Sequence, residues 1–209
     1  GVIPPFDINS LSTSMLFWHD ADSIVGSNGA YISTVQSKVP GPTAVQRNGA
    51  PTLSNAYLNG HNAIVFSYSN ATELITSNVN ATSNYSFFSV SRLLGTQNHR
   101  LLTADYTLGQ NQIWGYFDGY QNSIYIDGTP SILTPQPANN KWHIYSYVDC
   151  NANFTWNNNG TTLATGSANP GPSNMNYGGL IVGSDEHSDG LITESIWFNR
   201  ALTLDETAN

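Results

Sequence analysis

The sequence predicts an all-β fold, a two-sheet antiparallel β-sandwich, and three observations lead to this prediction. Short apolar runs recur along the 209 residues and are separated by turn residues. Charged residues make up only 10% of the chain, against about 25% in an average protein. Aromatic residues make up 11%, and no long segment repeats with the helical period. A helical bundle and a disordered chain are therefore both excluded.

The predicted elements follow one another along a single domain. Residues 1–14 contain two adjacent prolines and no period, which indicates an extended lead-in or the end of a linker. Residues 15–209 contain no linker and are predicted to form one domain, with the first and last long strands adjacent. Asp127-Gly128 and Asn158-Asn159-Gly160 predict hairpin turns, and 201–208 predicts a short helix. The strand candidates are 15–18, 63–68, 85–94, 113–118, 122–127, 142–149, 152–157, 161–165, 179–183 and 191–198.

Three stretches of the sequence resemble one family. The segment FWHDADS (17–23) is followed by NGHNAIVFSYSNATELIT (59–76), and GLIVGSDEHSDGLITESIWFNRALTLDE (179–206) closes the pattern. Together they resemble the bacterial and phage type of the concanavalin A-like, laminin-G-like jelly roll, and WFNRAL is the most specific part. The resemblance implies two curved sheets, in domains found in adhesins, lectins, secreted enzymes and phage fibres. It implies no single activity, since one fold carries many unrelated sites.

The charge and composition of the chain restrict its partners. A formal net charge of −8 leaves no cationic surface for a phosphate backbone, which excludes nucleic acid as the leading partner. No apolar run approaches the ~20 residues of a membrane span, so no membrane insertion is expected. The single cysteine, Cys150, excludes an internal disulfide and a cysteine-rich zinc site. A surface rich in hydroxyl and amide groups fits a protein that is extracellular or on a virion surface.

The middle strands predict an aromatic face that binds a ligand. Successive side chains of a strand point to opposite sides. This alternation assigns to the core Ile113, Phe117, Ile124, Ile126, Trp142, Ile144, Val148, Phe154 and Trp156. The opposite face is aromatic and carries carboxylates, and rings of this kind stack on sugars while polar groups bind their hydroxyls. The predicted glycan-binding residues are Trp114, Tyr116, Asp118, Tyr125, Asp127, His143, Tyr145 and Tyr147.

Two other uses of this face stay open. Large exposed apolar patches usually bind something, so the face or its rim also fits neighbouring virion or filament subunits, or a homo-oligomer. Tyrosine has a high strand propensity without any ligand, so the rings can also cap an ordinary solvent face. A glycan array combined with light scattering on the isolated domain separates these alternatives.

One acidic loop marks where a metal ion would bind. Asp185, Glu186 and Asp189 place three carboxylates within five residues, and a calcium ion would relieve their repulsion. The loop does not match the fixed glycine and glutamate positions of an EF-hand. A hydrated acidic turn is therefore the alternative, and calcium is the only cofactor that the sequence suggests.

Signatures of catalysis are mostly absent, and no catalytic residue is predicted. The resemblance implies that hydrolases of this fold carry an E-x-D-x-x-E run, which does not occur here. Glu194 lies in the closing strand and is predicted to have a structural role. The leading hypothesis is a non-catalytic recognition or adhesion module that binds a surface glycan. The alternative is a structural decoration or assembly domain of a viral particle or surface filament, and a polysaccharide-active enzyme is the third hypothesis.

Overall fold

The computed structural model describes residues 7–77, 79, 81, 84–94, 100–107, 110–117, 120–126, 129–131, 136–137, 139–167, 174–181 and 185–208. Within these ranges the chain consists almost entirely of strands in two large antiparallel sheets. Side chains from both sheets form one continuous core. The predicted all-β sandwich is confirmed.

The strands follow the turn signals of the sequence. In chain order they are β1 (Met15–Asp20), β2 (Thr34–Val35), β3 (Ala44–Gln46), β4 (Thr52–Leu58), β5 (His61–Phe66), β6 (Leu74–Thr76), β7 (Tyr85–Leu93), β8 (Arg100–Thr107), β9 (Gln110–Phe117), β10 (Tyr120–Ile126), β11 (Thr129–Ser131), β12 (Gln136–Pro137), β13 (His143–Cys150), β14 (Asn153–Asn158), β15 (Thr161–Ser167), β16 (Asn174–Tyr177), β17 (Gly179–Ile181), β18 (Asp185–His187) and β19 (Gly190–Phe198). A short helix, α1 (Leu204–Ala208), follows β19 where the sequence predicts one.

Each of the two sheets combines strands from distant parts of the chain. The first sheet has the order β15-β14-β13-β7-β19-β5-β4, and β1 pairs with the second half of β19. The second sheet has the order β11-β10-β9-β8-β16-β6-β3-β2, and β12 pairs with β10. β17 and β18 form a separate hairpin. The turn between β14 and β15 has positive φ at Asn159 (+49°) and Gly160 (+76°), which is the hairpin that the Asn-Gly signal predicts.

The first and last long strands are neighbours, as predicted. Asp20 of β1 lies opposite Glu194 of β19, and Met15 lies opposite Phe198. β5 pairs with β19 only as far as Ile192, and β1 continues along the same side of β19 from Glu194 onward. The outer part of the β4–β5 hairpin is therefore not paired with β19.

The segment before β1 is not extended throughout, which corrects the prediction for residues 1–14. Ile8–Ser14 forms a 3-10 helix whose first turn is capped by the Asp7 carboxylate, which accepts a hydrogen bond from the Asn9 N–H. Ile8 and Leu11 pack on a second apolar cluster, on the side of the first sheet that faces away from the core. This cluster contains Met15, Trp18, Ile196, Phe198 and Leu202. The helix forms because its apolar side chains cover that cluster.

Aromatic side chains fill the space between the sheets, and this overturns the predicted faces of β9 and β13. Ile144, which was assigned to the core, is 52% exposed. Phe154 and Trp156 of β14, and Ile124 and Ile126 of β10, are buried as predicted. The residues of β9 and β13 that were assigned to the exposed face, and that are instead at most 1% exposed, are Trp114, Tyr116, Tyr145 and Tyr147.

The buried rings pack on one another across the two sheets. Tyr145 stacks on Trp156 with ring centroids 4.9 Å apart, and Trp114 stacks on Phe87 at 4.6 Å. Offset and edge-to-face ring pairs of this kind add about 0.5–1.5 kcal/mol each beyond the burial of their area. Ring packing therefore adds to the stability that the aliphatic residues of the core provide.

Candidate functional site

The predicted ligand-binding residues do not form a surface. Four of the aromatic residues lie in the core, and His143 is only 5% exposed. Tyr125 is half-buried on the opposite side of β10 from Ile124, which faces Trp114, so Tyr125 does not share a face with Trp114. Asp118 and Asp127 lie outside the described residues. The assignment of Trp114, Tyr116, Tyr145 and Tyr147 to an exposed face is wrong, because a ligand cannot reach these rings in the folded chain.

Polar partners inside the sandwich explain why the tyrosines are buried. The Tyr145 hydroxyl donates to Asn122 Oδ1 at 3.2 Å, and it accepts a bond from the Asn122 N–H at 3.1 Å. The Tyr116 hydroxyl lies 3.3 Å from the Ser91 hydroxyl. A buried hydroxyl costs little free energy once it is hydrogen-bonded. The phenol groups are therefore compatible with the core.

Part of the polar interior reaches the surface at a group of residues that we call the amide rim. The amide rim consists of Gln121, Asn122, Asn139, His143 and Asn158. His143 Nε2 lies 3.1 Å from Gln121 Oε1 and 3.2 Å from Asn139 Oδ1, so Nε2 carries the proton. His143 Nδ1 then accepts from the Asn158 amide at 2.9 Å, and the same amide donates to Asn122 Oδ1 at 2.7 Å. The amide rim is one connected network that joins β10, β13 and β14.

Burial keeps the imidazole of the amide rim neutral. Desolvation is the main cause that lowers the pKa of His143, the Asn158 Oδ1 atom 3.1 Å from Nδ1 opposes that effect, and the charge of Lys141 lowers the pKa further. A neutral imidazole among amides provides both donors and acceptors and carries no net charge. The amide rim is therefore suited to groups that both donate and accept hydrogen bonds, as hydroxyls do.

Two rings at least partly open to solvent, which we call the aromatic pair, include the residue directly before His143 of the amide rim. The aromatic pair is Tyr57 and Trp142, whose ring centroids are 6.2 Å apart in an edge-to-face arrangement. Tyr57 is 43% exposed and Trp142 is half-buried. Trp142 comes directly before His143, and the left-handed residue Ala56 (φ +52°) lies in the irregular part of β4 that carries Tyr57. The aromatic pair and the amide rim are thus adjacent along the chain where it enters β13.

Asp20, at the end of β1, and Asp22, in the turn that follows, both contact other groups of the chain. The Asp20 carboxylate is 2.8 Å from Lys38 Nζ, and the Asp22 carboxylate accepts from the Asn62 N–H at 2.7 Å and lies 2.6 Å from His61 Nδ1. These contacts tie the β4–β5 hairpin to the turn after β1. They favour a structural role for both aspartates.

Glu194 also connects neighbouring strands. Its Oε1 accepts from the indole N–H of Trp18 in β1 at 2.6 Å. Burial raises the pKa of Glu194, and the bond from Trp18 opposes that rise. The contact favours the structural role predicted for Glu194.

A small cavity near the amino-terminal strand is too small for a ligand. Its volume is about 10 Å³, room for a single water molecule, and His19, Tyr177 and Ser195 are among its lining residues. His19 Nε2 donates to the Pro42 carbonyl at 2.9 Å, so Nδ1 accepts from the Tyr177 hydroxyl at 2.9 Å. Burial lowers the pKa of His19 to about 4, which keeps the ring neutral. This chain of hydrogen bonds is part of the core.

The predicted metal ligands do not converge among the described side chains. Asp185–His187 is a strand rather than a curled loop, and the side chain of Asp185 lies outside the described part of the chain. Glu186 forms an ion pair with Arg100, and Asp189 Oδ1 accepts from the Tyr68 N–H at 2.8 Å. No group of three acidic, histidine or cysteine side chains that suits a metal ion occurs among the described residues. The guanidinium beside Glu186 supplies the positive charge that a calcium ion would supply.

We expect that millimolar calcium leaves the melting temperature of the protein unchanged relative to EDTA. A site occupied at a hundredfold excess over its Kd would add about 2.7 kcal/mol to the free energy of unfolding, a readily visible shift. Thermal melts followed by circular dichroism measure this. A rise with calcium that Asp189→Asn abolishes would restore the calcium hypothesis.

Two buried carboxylates were not singled out by the sequence. Asp149 and Glu73 are both 0% exposed, and none of their carboxylate oxygens has a side-chain hydrogen-bond partner. Burial raises the pKa of Asp149 to about 6, against the opposing effect of the Ala152 backbone N–H. Burial likewise raises the pKa of Glu73 to about 7, although Arg47 lies 3.6 Å away. Both groups lie away from the aromatic pair and affect stability rather than recognition.

No protein-family model and no curated protein matches the sequence, whereas several solved structures match the fold. A mutant of Trypanosoma rangeli sialidase displaying trans-sialidase activity has a TM-score of 0.65 at 13% identity, over 95% of this chain and 32% of its own. Botulinum neurotoxin type C, in a structure concerned with its interaction with two ganglioside molecules, has a TM-score of 0.65 at 10% identity. The match covers 97% of this chain and 51% of the neurotoxin chain. The binding domain of botulinum neurotoxin DC in complex with SialylT has a TM-score of 0.64 at 12% identity. The match covers 94% of this chain and 50% of the other.

These similarities show the fold alone. The chain spans about a third to a half of the length of the structures it matches. Within the described residues, no helix has the length and apolar character needed to cross a membrane.

Proposed function

We propose that this chain is a non-catalytic glycan-recognition module and that it binds sugars at the aromatic pair and the amide rim. The observation that carries the proposal is that Trp142, whose ring contacts Tyr57, comes directly before His143 at the start of β13. Trp142 offers a half-buried ring next to the exposed Tyr57, and His143 belongs to a neutral hydrogen-bonding network. Rings stack on the apolar faces of sugars, and amides bind their hydroxyls.

The chemistry of the site supports binding rather than catalysis. Hydrolysis of a glycosidic bond normally uses two carboxyl groups about 5.5 Å or about 6.5–9.5 Å apart. The aromatic pair and the amide rim contain amides, an imidazole and rings, and none of these seven residues has a carboxyl group. We therefore place this chain with the binding modules rather than with the enzymes that share its fold.

The comparisons support the ligand class at a coarse level. Two of the similar structures concern gangliosides or SialylT, and the third is a sialidase. We extend the proposal to a laminin-G-like jelly roll that is displayed extracellularly or on a virion. The basis is the match of FWHDADS and WFNRAL to that family pattern and the low content of charged residues.

Trp142→Ala is expected to weaken glycan binding about thirtyfold, because removal of a central aromatic contact typically costs about 2 kcal/mol of binding free energy. A glycan array identifies the sugar, and titration calorimetry with that sugar measures the loss. Tyr31→Ala is the matched control, since its ring is 82% exposed and lies outside the aromatic pair and the amide rim. The proposal fails if the array shows no binding, or if the two variants bind equally well.

A second candidate function rests on the outer face of the first sheet. Ile144 is 52% exposed and lies directly opposite the half-buried Val90 on the neighbouring strand. Exposed apolar side chains on adjacent strands suit contact with another subunit, in a homo-oligomer or in a particle or filament. Sedimentation of the wild type and Ile144→Ser tests this. A monomer at every concentration would exclude self-assembly through this face.

A further inference from the structure

We propose that the glycan carries an acidic group and that the ammonium group of Lys141 binds it. This inference rests on the glycan-binding function proposed above. It goes further by naming the class of sugar, one with a carboxylate or sulfate group, and the residue that selects it.

The inference starts from the distribution of positive charge. The chain has only six Lys and Arg residues against 14 Asp and Glu. Four of the six cations form ion pairs with carboxylates, namely Lys38 with Asp20, Arg47 with Glu73, Arg100 with Glu186 and Arg200 with Glu206. Of the remaining two, Arg92 is half-buried and Lys141 is exposed. Among the described residues, Lys141 is thus the exposed cation for which no ion pair is found.

Lys141 lies inside the proposed site. Its backbone N–H donates to Asn139 Oδ1 of the amide rim at 2.9 Å, and Trp142 of the aromatic pair is the next residue. Burial is the main cause of the lowered pKa of His143, and the charge of Lys141 adds to it, which indicates that the ammonium lies close enough to act on that ring. Asn140 adopts a left-handed conformation (φ +55°) and turns the chain directly before Lys141. The exposed cation for which the described residues show no ion pair is therefore the chain neighbour of Trp142 and is bonded through its backbone to the amide rim.

The net negative charge of the protein makes the local positive charge of Lys141 important for binding an anion. A protein with a net charge of −8 repels anions at long range, but salt screens that repulsion beyond about 8 Å at physiological ionic strength. Anion binding then depends on the local charge, which at this site comes from Lys141. A hydroxyl of a neutral glycan would accept an ordinary hydrogen bond from the ammonium group, whereas a carboxylate or sulfate would also pair with its charge and bind more strongly.

The experiment uses matched glycans on the full chain. An array presents neutral glycans beside the same glycans with sialic acid, glucuronic acid or sulfate added, and the affinities of the best pair are then measured by calorimetry. We expect the acidic member to bind about tenfold more tightly, the gain of one charged hydrogen bond. Lys141→Gln should lose that factor for the acidic member and change binding of the neutral member by less than about twofold. Lys141→Arg should retain the preference.

Lys38→Gln is the matched control, because Lys38 is also a surface lysine but pairs with Asp20 and covers the ring of Trp18. Unchanged sugar preference in this variant supports the inference. Equal binding of both members, or an unaffected preference in Lys141→Gln, overturns the inference and leaves the glycan-binding function standing. Absence of binding to every glycan on the array overturns both.

Discussion

Trp114→Ala is expected to lower the free energy of unfolding by about 4 kcal/mol, because the lost indole leaves a cavity in a packed core. The indole is 0% exposed and contacts the rings of Phe87, Tyr147 and Trp197 at centroid distances of 4.6, 5.4 and 5.5 Å. For a chain of this size the melting temperature should fall by about 8–16 °C. Thermal and denaturant unfolding followed by circular dichroism measure the effect.

Trp142→Ala is the matched control for this result. Its indole is only half-buried, so the same substitution should cost less than about 1 kcal/mol of stability. The two tryptophans thus separate stability from recognition. A Trp114→Ala protein that melts like the wild type and fails only in sugar binding would contradict the assignment of Trp114 to the core.

Asp149→Asn is expected to stabilise the protein at neutral pH by about 2–3 kcal/mol. The pKa of Asp149 rises from 3.8 in the unfolded chain to about 6 in the folded chain, because the carboxyl group is buried. The folded chain therefore holds the proton more tightly, and this contribution to stability is full below pH 4 and is lost as the pH rises through 6. Each unit of pKa difference corresponds to about 1.4 kcal/mol. An amide at this position does not ionise, so the variant does not lose this stability as the pH rises.

Urea unfolding between pH 4 and pH 8 measures the effect, and two variants control for it. Glu73→Gln should behave in the same way with its transition near pH 7, because burial raises the pKa of Glu73 to about 7. Asp22→Asn should have the opposite sign, because the Asn62 N–H and His61 lower the pKa of Asp22. Equal stability of Asp149→Asn and the wild type at pH 8 would mean that the Asp149 carboxylate is solvated.

Hydrophobic periodicity predicted the strands well. It predicted the buried face of a strand only where one of its two faces is apolar. β10 and β14 follow the expected rule, with Ile124 and Trp156 inside. In β13 both faces carry apolar residues, isoleucine and valine on one side and tyrosine on the other. Alternation shows which residues share a face, but it does not show which face is buried. The choice of the aliphatic face was therefore wrong for this strand.

Hydrogen-bond partners allow two tyrosines of the buried face to enter the core. Tyr145 and Tyr116 are buried because Asn122 and Ser91 meet their hydroxyls, and those partners come from strands distant in the sequence. Partners of that kind depend on how the two sheets register against each other. One signal in the sequence was available. Gln112, Asn122 and Ser91 are polar residues within strands, and each provides a partner for a buried tyrosine hydroxyl.

The candidate site was only partly accessible to prediction. His143 was named as a site residue, and the structure places it in the amide rim. Trp142 was assigned to the core, because it alternates with His143, and its contact with Tyr57 depends on a hairpin 85 residues earlier in the chain. The left-handed conformation of Ala56 in that hairpin has no signature in the residue type. Long-range contacts of this kind follow from the fold rather than from local pattern.

The pairing of β1 with β19 determines how the protein would respond to tension. Met15 and Phe198 lie opposite each other, and the Asn199 N–H donates to the Ser14 carbonyl at 2.8 Å, so the start of one strand and the end of the other leave from the same edge. A pull through both of these ends would load the hydrogen bonds one after another, as a zipper opens, rather than all together in shear. Attachment through only one end would leave the pair unloaded. Held at a single point, the sandwich would keep its shape under drag, whereas inserted in series within a stretched fibre it would open first at this seam.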